Sequence, residues 1–183
     1  MNSNHVMLDL ETLDTRPGGV ILSVGAVFFD YETQTLGGEF HQIIGLIPSE
    51  RIGLTVSADT ALWWAKQSQE AQDTLTKAKS SSKEPAEVFA EFNIFLACAK
   101  GGMSKVKLWG NGSDFDNIML AAAYEKAGVP LGWKYYNHRC HRTLKNLRTD
   151  IKINRVGIHH NALDDAKSQA EHAMRILKAL KNA

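Results

Sequence analysis

Three short stretches of this 183-residue chain hold acidic side chains, in one case with histidines, that could do chemistry together. The first is Asp9 and Glu11 in HVMLDLE (residues 5–11), where Val6, Leu8 and Leu10 alternate with Met7, Asp9 and Glu11. A period of two belongs to a strand, so both carboxylates project from one face beside Met7. Like charges so close repel, and a solvated strand edge would tolerate them with no function attached. The second stretch, WGNGSDFDNIML (109–120), reads as strand end, Gly-rich turn and helix start. It sets Asp114 or Asp116 at the carboxyl end of a strand, where ligand sites of α/β sheets collect. Helix capping explains it equally, since Ser113 is a good N-cap and the helix dipole favours acids in the first turn. The third, HHNALDDAKSQA (159–170), pairs His159 with Asp164 and His160 with Asp165 at the same offset, and capping by Asn161 again accounts for the acids. Spacing alone does not choose between the registers. Carboxylates that converged would raise one another's pKa unless hard cations neutralised them. Oxygen-only ligands suit Mg²⁺ or Mn²⁺ rather than structural zinc, and an imidazole of pKa near ~6.5 suits proton abstraction near neutral pH.

The elements that must position these groups follow from periodicity. Residues 5–11, 20–29 and 36–46 read as three strands of an antiparallel meander joined by polar turns. From Ser57 the pattern turns helical, with Ser57 and Ser68 as N-caps of successive helices. The polar stretch 79–85 (KSSSKEP) is a surface loop, and Pro85 opens a helix over 85–100 that Gly101 and Gly102 stop. A short strand at 106–109 precedes a helix over 114–127 closed by Gly128. A further short strand near 133–136 and a helix over about 141–148 come next. A last helix over about 162–181 carries Leu163, Ala166, Ala170, Ala173, Leu177 and Leu180 on one stripe. This order implies an α/β fold with a mixed sheet flanked by helices.

A composition of 44% hydrophobic and 22% charged residues suits one domain over residues 1–183. A net charge of +1 excludes a broadly basic surface, so contact with a polyanion must come from a local cluster. Two cysteines are too few for a disulfide framework; Cys98, in an apolar helical pattern, is expected buried, and a reducing, cytoplasmic setting follows. Neither a signal-peptide pattern nor a membrane span is readable.

Taken jointly and in this order, the stretches resemble the DnaQ-like 3′-5′ exonucleases of the DEDDh type. The family's D-x-E-T is matched by Asp9, Leu10, Glu11 and Thr12, its Phe-Asp before a helix by Phe115 and Asp116, and its H-x-x-x-x-D by His160 to Asp165. Residues 58–67, with Trp63 and Trp64, resemble the phage exonuclease A or mycobacterial-type exoribonuclease branch. The resemblance implies an RNase H-like fold and two Mg²⁺ or Mn²⁺ ions held by Asp9, Glu11, Asp116 and Asp165, with Asp9 bridging and His160 as base. It implies hydrolysis from the 3′ end of single-stranded DNA or RNA, release of nucleoside 5′-monophosphates and, as in many relatives, a homodimer. An oligonucleotide phosphodiesterase would share the same catalytic residues, and a non-catalytic nucleic-acid-binding module would keep the fold without turnover. Thr12 and Leu13 would meet the terminal nucleotide, Trp63 and Trp64 could stack bases although adjacent positions on a helix put at least one of them in the core, and Asn111 and Arg142 complete the candidate substrate contacts. One departure is plain: many members carry His-Asn before the second motif, where this chain has Trp109, Gly110 and Asn111. The segment HRCHR (138–142) lacks a fourth ligand at zinc-like spacing and reads as packing or phosphate-facing.

Overall fold

The computed structural model describes residues 3–182. Its centre is β1 (His5–Thr12), paired antiparallel with β2 (Ile21–Asp30), which pairs antiparallel with β3 (Thr35–Ile43). On the other side of β1 run β4 (Lys107–Gly110) and β5 (His138–Cys140), both parallel, giving the order β3-β2-β1-β4-β5. This is the mixed sheet expected.

The alternation in β1 divides the core. Val6, Leu8 and Leu10 join a cluster with Phe89, Phe92 and Leu120, under α4 (Pro85–Ala97) and α5 (Asp116–Ala127). Met7 joins the opposite cluster with Val27, Trp109, Ala170 and Ile176, under α7 (Ala162–Lys181). Asp9 and Glu11 share Met7's parity and therefore face α7.

Local signals place most helices. Ser57 accepts from the Thr60 amide to start α2 (Ala58–Trp64), Ser68 accepts from the Ala71 amide to start α3 (Gln69–Ser80), and Pro85 takes the first turn of α4. Gly128, with φ of 69°, closes α5.

Four expectations need correction. The third strand stops at Ile43, and Leu46–Arg51 forms a short helix, α1. Gly45 turns the chain, and its carbonyl accepts from both the amide and the hydroxyl of Ser49. No strand forms at 133–136. Trp133 is buried and donates its indole N–H to His138, Tyr135–Asn137 make a 3₁₀ turn, and the strand begins at His138. On α7, Leu163 is half-buried and Leu180 is 39% exposed. The buried face is wider and more polar than the expected stripe, taking in Asp165, Ser168, Gln169 and His172. Cys98 is exposed, because it falls one turn after the exposed Ile94 on the outer face of α4, where its thiol meets the Ile94 carbonyl. Among the described residues no helix is long and apolar enough to cross a membrane.

Candidate active site

The carboxyl ends of β1 and β4 and the start of α7 meet around a cleft of about 250 Å³. It is lined by Asp9, Glu11, Asp116 and Asp165, with Asn111, Arg142, Arg155 and His160 at its sides. Oxygens of Asp9, Glu11 and Asp165 lie within 4.8 Å of one another.

Each acid has its own local support. Asp116 heads α5, but the helix begins two residues later than expected, with Phe115 rather than Ser113 at the cap and no side-chain cap bond. The Gly112 carbonyl instead receives the amides of Phe115 and Asp116, and the Asp116 carboxylate accepts the Gly112 amide at 3.2 Å. Close approach here depends on Gly110, where a Cβ would stand 2.9 Å from the Asp116 Cβ. Asn161 caps α7 through the amides of Leu163 and Asp164. Asp164 turns back to accept from the Ile158 amide, whereas Asp165 is buried, points at Asp9 and Glu11, and accepts the His160 amide at 2.9 Å. The geometry thus brings Asp165, and not Asp164, to the first-strand acids.

The electrostatics are those of crowded acids. Burial first, then the charges of Asp116 and Glu11, push Asp9 well above the ordinary carboxylate range. A hydrogen bond of 2.7 Å from Gln169 opposes this. Burial, Asp165 and Asp116 push Glu11 up to about 8. Burial pushes Asp116 up to about 6 against the pull of backbone amides. Such a set fits hard divalent cations, which would remove the repulsion.

His160 has φ of 64°, in the left-handed region that histidine reaches only occasionally. Its ring lies 5.0 Å, edge to face, from Trp63 and 3.8 Å from His159. Burial, then the neighbouring His159, lower its pKa from the ordinary imidazole value, which favours the neutral ring.

A second cleft, about 460 Å³, opens beside the first and shares Leu10, Glu11 and Phe115 with it. Trp63, Trp64, Thr12 and Thr60 line it, and among the described residues no Lys or Arg does. Of the paired tryptophans, Trp64 is buried and donates its indole N–H to the Thr12 carbonyl at 2.8 Å, while Trp63 is 44% exposed. Leu13 is 2% exposed within the main core, which gives its side chain to packing rather than to a wedge against a nucleotide. The Thr12 hydroxyl donates to the Asp14 carbonyl at 2.8 Å. Asn111 is braced from behind by His141, which in turn contacts His172 at 3.0 Å, and His172 donates to the Ile151 carbonyl. The HRCHR segment is therefore split: His141 is buried and held down at a pKa of about 3 by desolvation, and Arg142 stays at the cleft mouth.

Two residues escaped the sequence reading. Gln169 follows Asp165 by four on α7, so helical spacing alone could have found it. Arg155 pairs with Asp165 from an aperiodic loop, where no local pattern pointed to it.

Residues 4–177 match the sequence pattern of the 3′-5′ exoribonuclease Rv2179c-like domain. The chain belongs to this family. By that family's description the domain is a 3′-5′ exonuclease. No curated protein sequence matches it. Its fold is that of the RNase H-like DEDDh exonucleases. The nuclease domain of 3′hExo, a DEDDh family member bound to rAMP, superposes with a TM-score of 0.66 at 16% identity, over 96% of this chain and 92% of that one. Exonuclease X in complex with 5′ overhanging duplex DNA gives 0.59 at 13%, over 96% and 92%. E. coli exonuclease I in complex with a dA16 oligonucleotide gives 0.64 at 15%, over 99% of this chain and 43% of that larger one.

Proposed function

We propose that the domain removes nucleotides one at a time from the 3′ end of single-stranded RNA, releasing nucleoside 5′-monophosphates. The observation that carries this reading is the convergence of Asp9, Glu11 and Asp165 within 4.8 Å, in one cleft with Asp116 and His160. Choosing RNA over DNA rests on the family's description as an exoribonuclease.

The four carboxylates, Asp9, Glu11, Asp116 and Asp165, would hold two Mg²⁺ or Mn²⁺ ions. Bound there, the ions supply Lewis acidity for an in-line displacement at phosphorus. The chain's own groups do the rest. His160, whose neutral form burial favours, takes the proton of the attacking water at a ring nitrogen. The amide of His160 holds Asp165, and Gln169 holds Asp9, so both carboxylates enter the reaction already oriented. The second cleft, apolar and aromatic and without a cation among the described residues, accepts the terminal nucleoside. There the exposed Trp63 offers a stacking face worth about 1–3 kcal/mol.

The test is a 5′-labelled RNA and a matched DNA incubated with Mg²⁺, Mn²⁺ or EDTA. The expected result is a ladder shortening from the 3′ end of the RNA that stops in EDTA. Internal cuts, or a ladder that persists in EDTA, would defeat the reading; equal rates on DNA would remove the preference for RNA.

Folding raises the Glu11 pKa from 4.5 to about 8, so the native state binds this proton more tightly than the unfolded chain does. The resulting stability is present in full below 4.5 and is lost as pH rises through 8. Metal-free protein should therefore melt at lower temperature at pH 8 than near pH 5.5, and added Mn²⁺ should raise the melting temperature more at pH 8, where it meets ionised ligands. Differential scanning fluorimetry at the two pH values, with and without the ion, checks this. An Mn²⁺ shift no larger at pH 8 would mean that these acids are not its ligands.

A further inference from the structure

The chain's near-neutral total hides a segregation of charge. Residues 134–155 contain seven lysines and arginines against one acid, Asp150, while the remainder carries 14 cations against 19 acids. This basic segment forms β5 at the edge of the sheet, α6 (His141–Asn146) and the loop that follows. Arg142 and Arg155 stand at the acidic cleft itself. Arg142 is in the first turn of α6, and Lys145, three residues on, lies on the same side of that helix. Lys145 and Lys152 then line a shallow depression of about 240 Å³ floored by Ile151, Ile153 and His172. Among the described residues no ion pair engages Arg142, Lys145 or Lys152, so all three are available to an anion. The tryptophan cleft, by contrast, is lined by Glu11 and Asp59 and, among the described residues, by no cation, which makes it a poor path for a phosphate backbone.

From this division we infer that the strand upstream of the scissile phosphate leaves the acidic cleft past Arg142 and lies across α6 and the 147–155 loop, its phosphates held by Lys145 and Lys152. The inference rests on the proposed 3′-end reading for its direction. It assigns the domain a substrate several nucleotides long, in preference to a dinucleotide. Contacts of this kind are made to the backbone, so they add affinity without reading sequence.

Binding in EDTA tests the track without turnover. A labelled single-stranded RNA of about 20 nucleotides is titrated by fluorescence anisotropy over a range of salt concentrations. The proteins compared are the wild type, Lys145→Glu/Lys152→Glu, Lys145→Arg/Lys152→Arg, and Lys100→Glu/Lys105→Glu. The last pair is exposed at the opposite end of the sheet, before β4, and makes the same change in net charge. The charge reversal on the track should weaken binding roughly tenfold or more at low salt and flatten the slope of log K against log salt by about 1.4, that is ~0.7 for each of two phosphates. The arginine pair should bind like the wild type, and the reversal at the far end should stay within about twofold of it. Equal weakening by both reversals would reduce the effect to bulk charge and overturn the track. So would a track reversal that leaves affinity and salt slope unchanged, or a wild type that does not bind the strand. A wild type that binds the strand but fails to shorten it with metal present loses the exonuclease reading and keeps the track.

Discussion

Asp9→Asn should melt higher than the wild type in the absence of metal and yet lose at least about three orders of magnitude in kcat on a 5′-labelled RNA. Both effects come from the same atom. In the metal-free fold Asp9 is a carboxyl pressed against Glu11 and Asp116, and burial with those charges drives its pKa far up. An amide of the same shape enters this site without having to take up a proton on folding and can still accept the Gln169 hydrogen bond. At pH 8 Glu11, with its pKa pushed up to about 8, is itself partly ionised. Each kcal/mol recovered there raises the melting temperature of a chain this size by about 2–4 °C. The amide is also a poor ligand for a hard cation, and charge stabilisation worth several kcal/mol, at about 1.36 kcal/mol per decade, accounts for about 10³ in rate. Scanning calorimetry and single-turnover kinetics on one preparation would read both. A variant that keeps wild-type turnover would remove Asp9 from the reaction, and one that melts lower would mean that the acids are compensated in some other way.

Gly25→Ala should fold, and should cost about 100-fold in kcat. Gly25 sits on β2 directly opposite Asp9. A Cβ there would stand 2.1 Å from the carbonyl carbon of Ala162 and 2.2 Å from the nitrogen of Leu163, both backbone atoms. No rotamer relieves that contact, so the first turn of α7 must retreat, carrying Asp165 with it. Displacements of about 1 Å are enough for a ~10²-fold loss, and overpacking of this kind costs about 1–3 kcal/mol in stability. Urea denaturation and Mn²⁺ titration would follow the two consequences. Unchanged metal affinity with unchanged kcat would show that the helix start is not what sets the position of Asp165.

Much of this arrangement was legible from local pattern. The parity of residues 5–11 put Asp9 and Glu11 on Met7's face, and Ser57, Ser68, Pro85 and Asn161 announced helix starts by their own hydrogen-bonding chemistry or fixed backbone angle. What escaped was set by tertiary contact. The run Ile43–Ile44 and Leu46–Ile47 is apolar enough for strand or helix, and only the turn at Gly45 decides it. His159 and His160 have equal offsets to their aspartates, and the choice is made by which carboxylate the Ile158 amide draws away. Trp63 and Trp64 are indistinguishable in sequence, and the Thr12 carbonyl selects the second for the interior. Gly25 reads as one more small residue in a β-rich run until the helix that crosses it is in view.

The central strand and the final helix face each other across the cleft although Asp9 and Asp165 are separated by nearly the whole length of the chain. During synthesis the amino-terminal half emerges and collapses first. A nascent polypeptide that has not yet released residues 160–169 holds Asp9 and Glu11 without the Asp165 carboxylate and the Gln169 hydrogen bond that α7 brings to them. Docking of the last helix is thus the step that completes the acidic cleft.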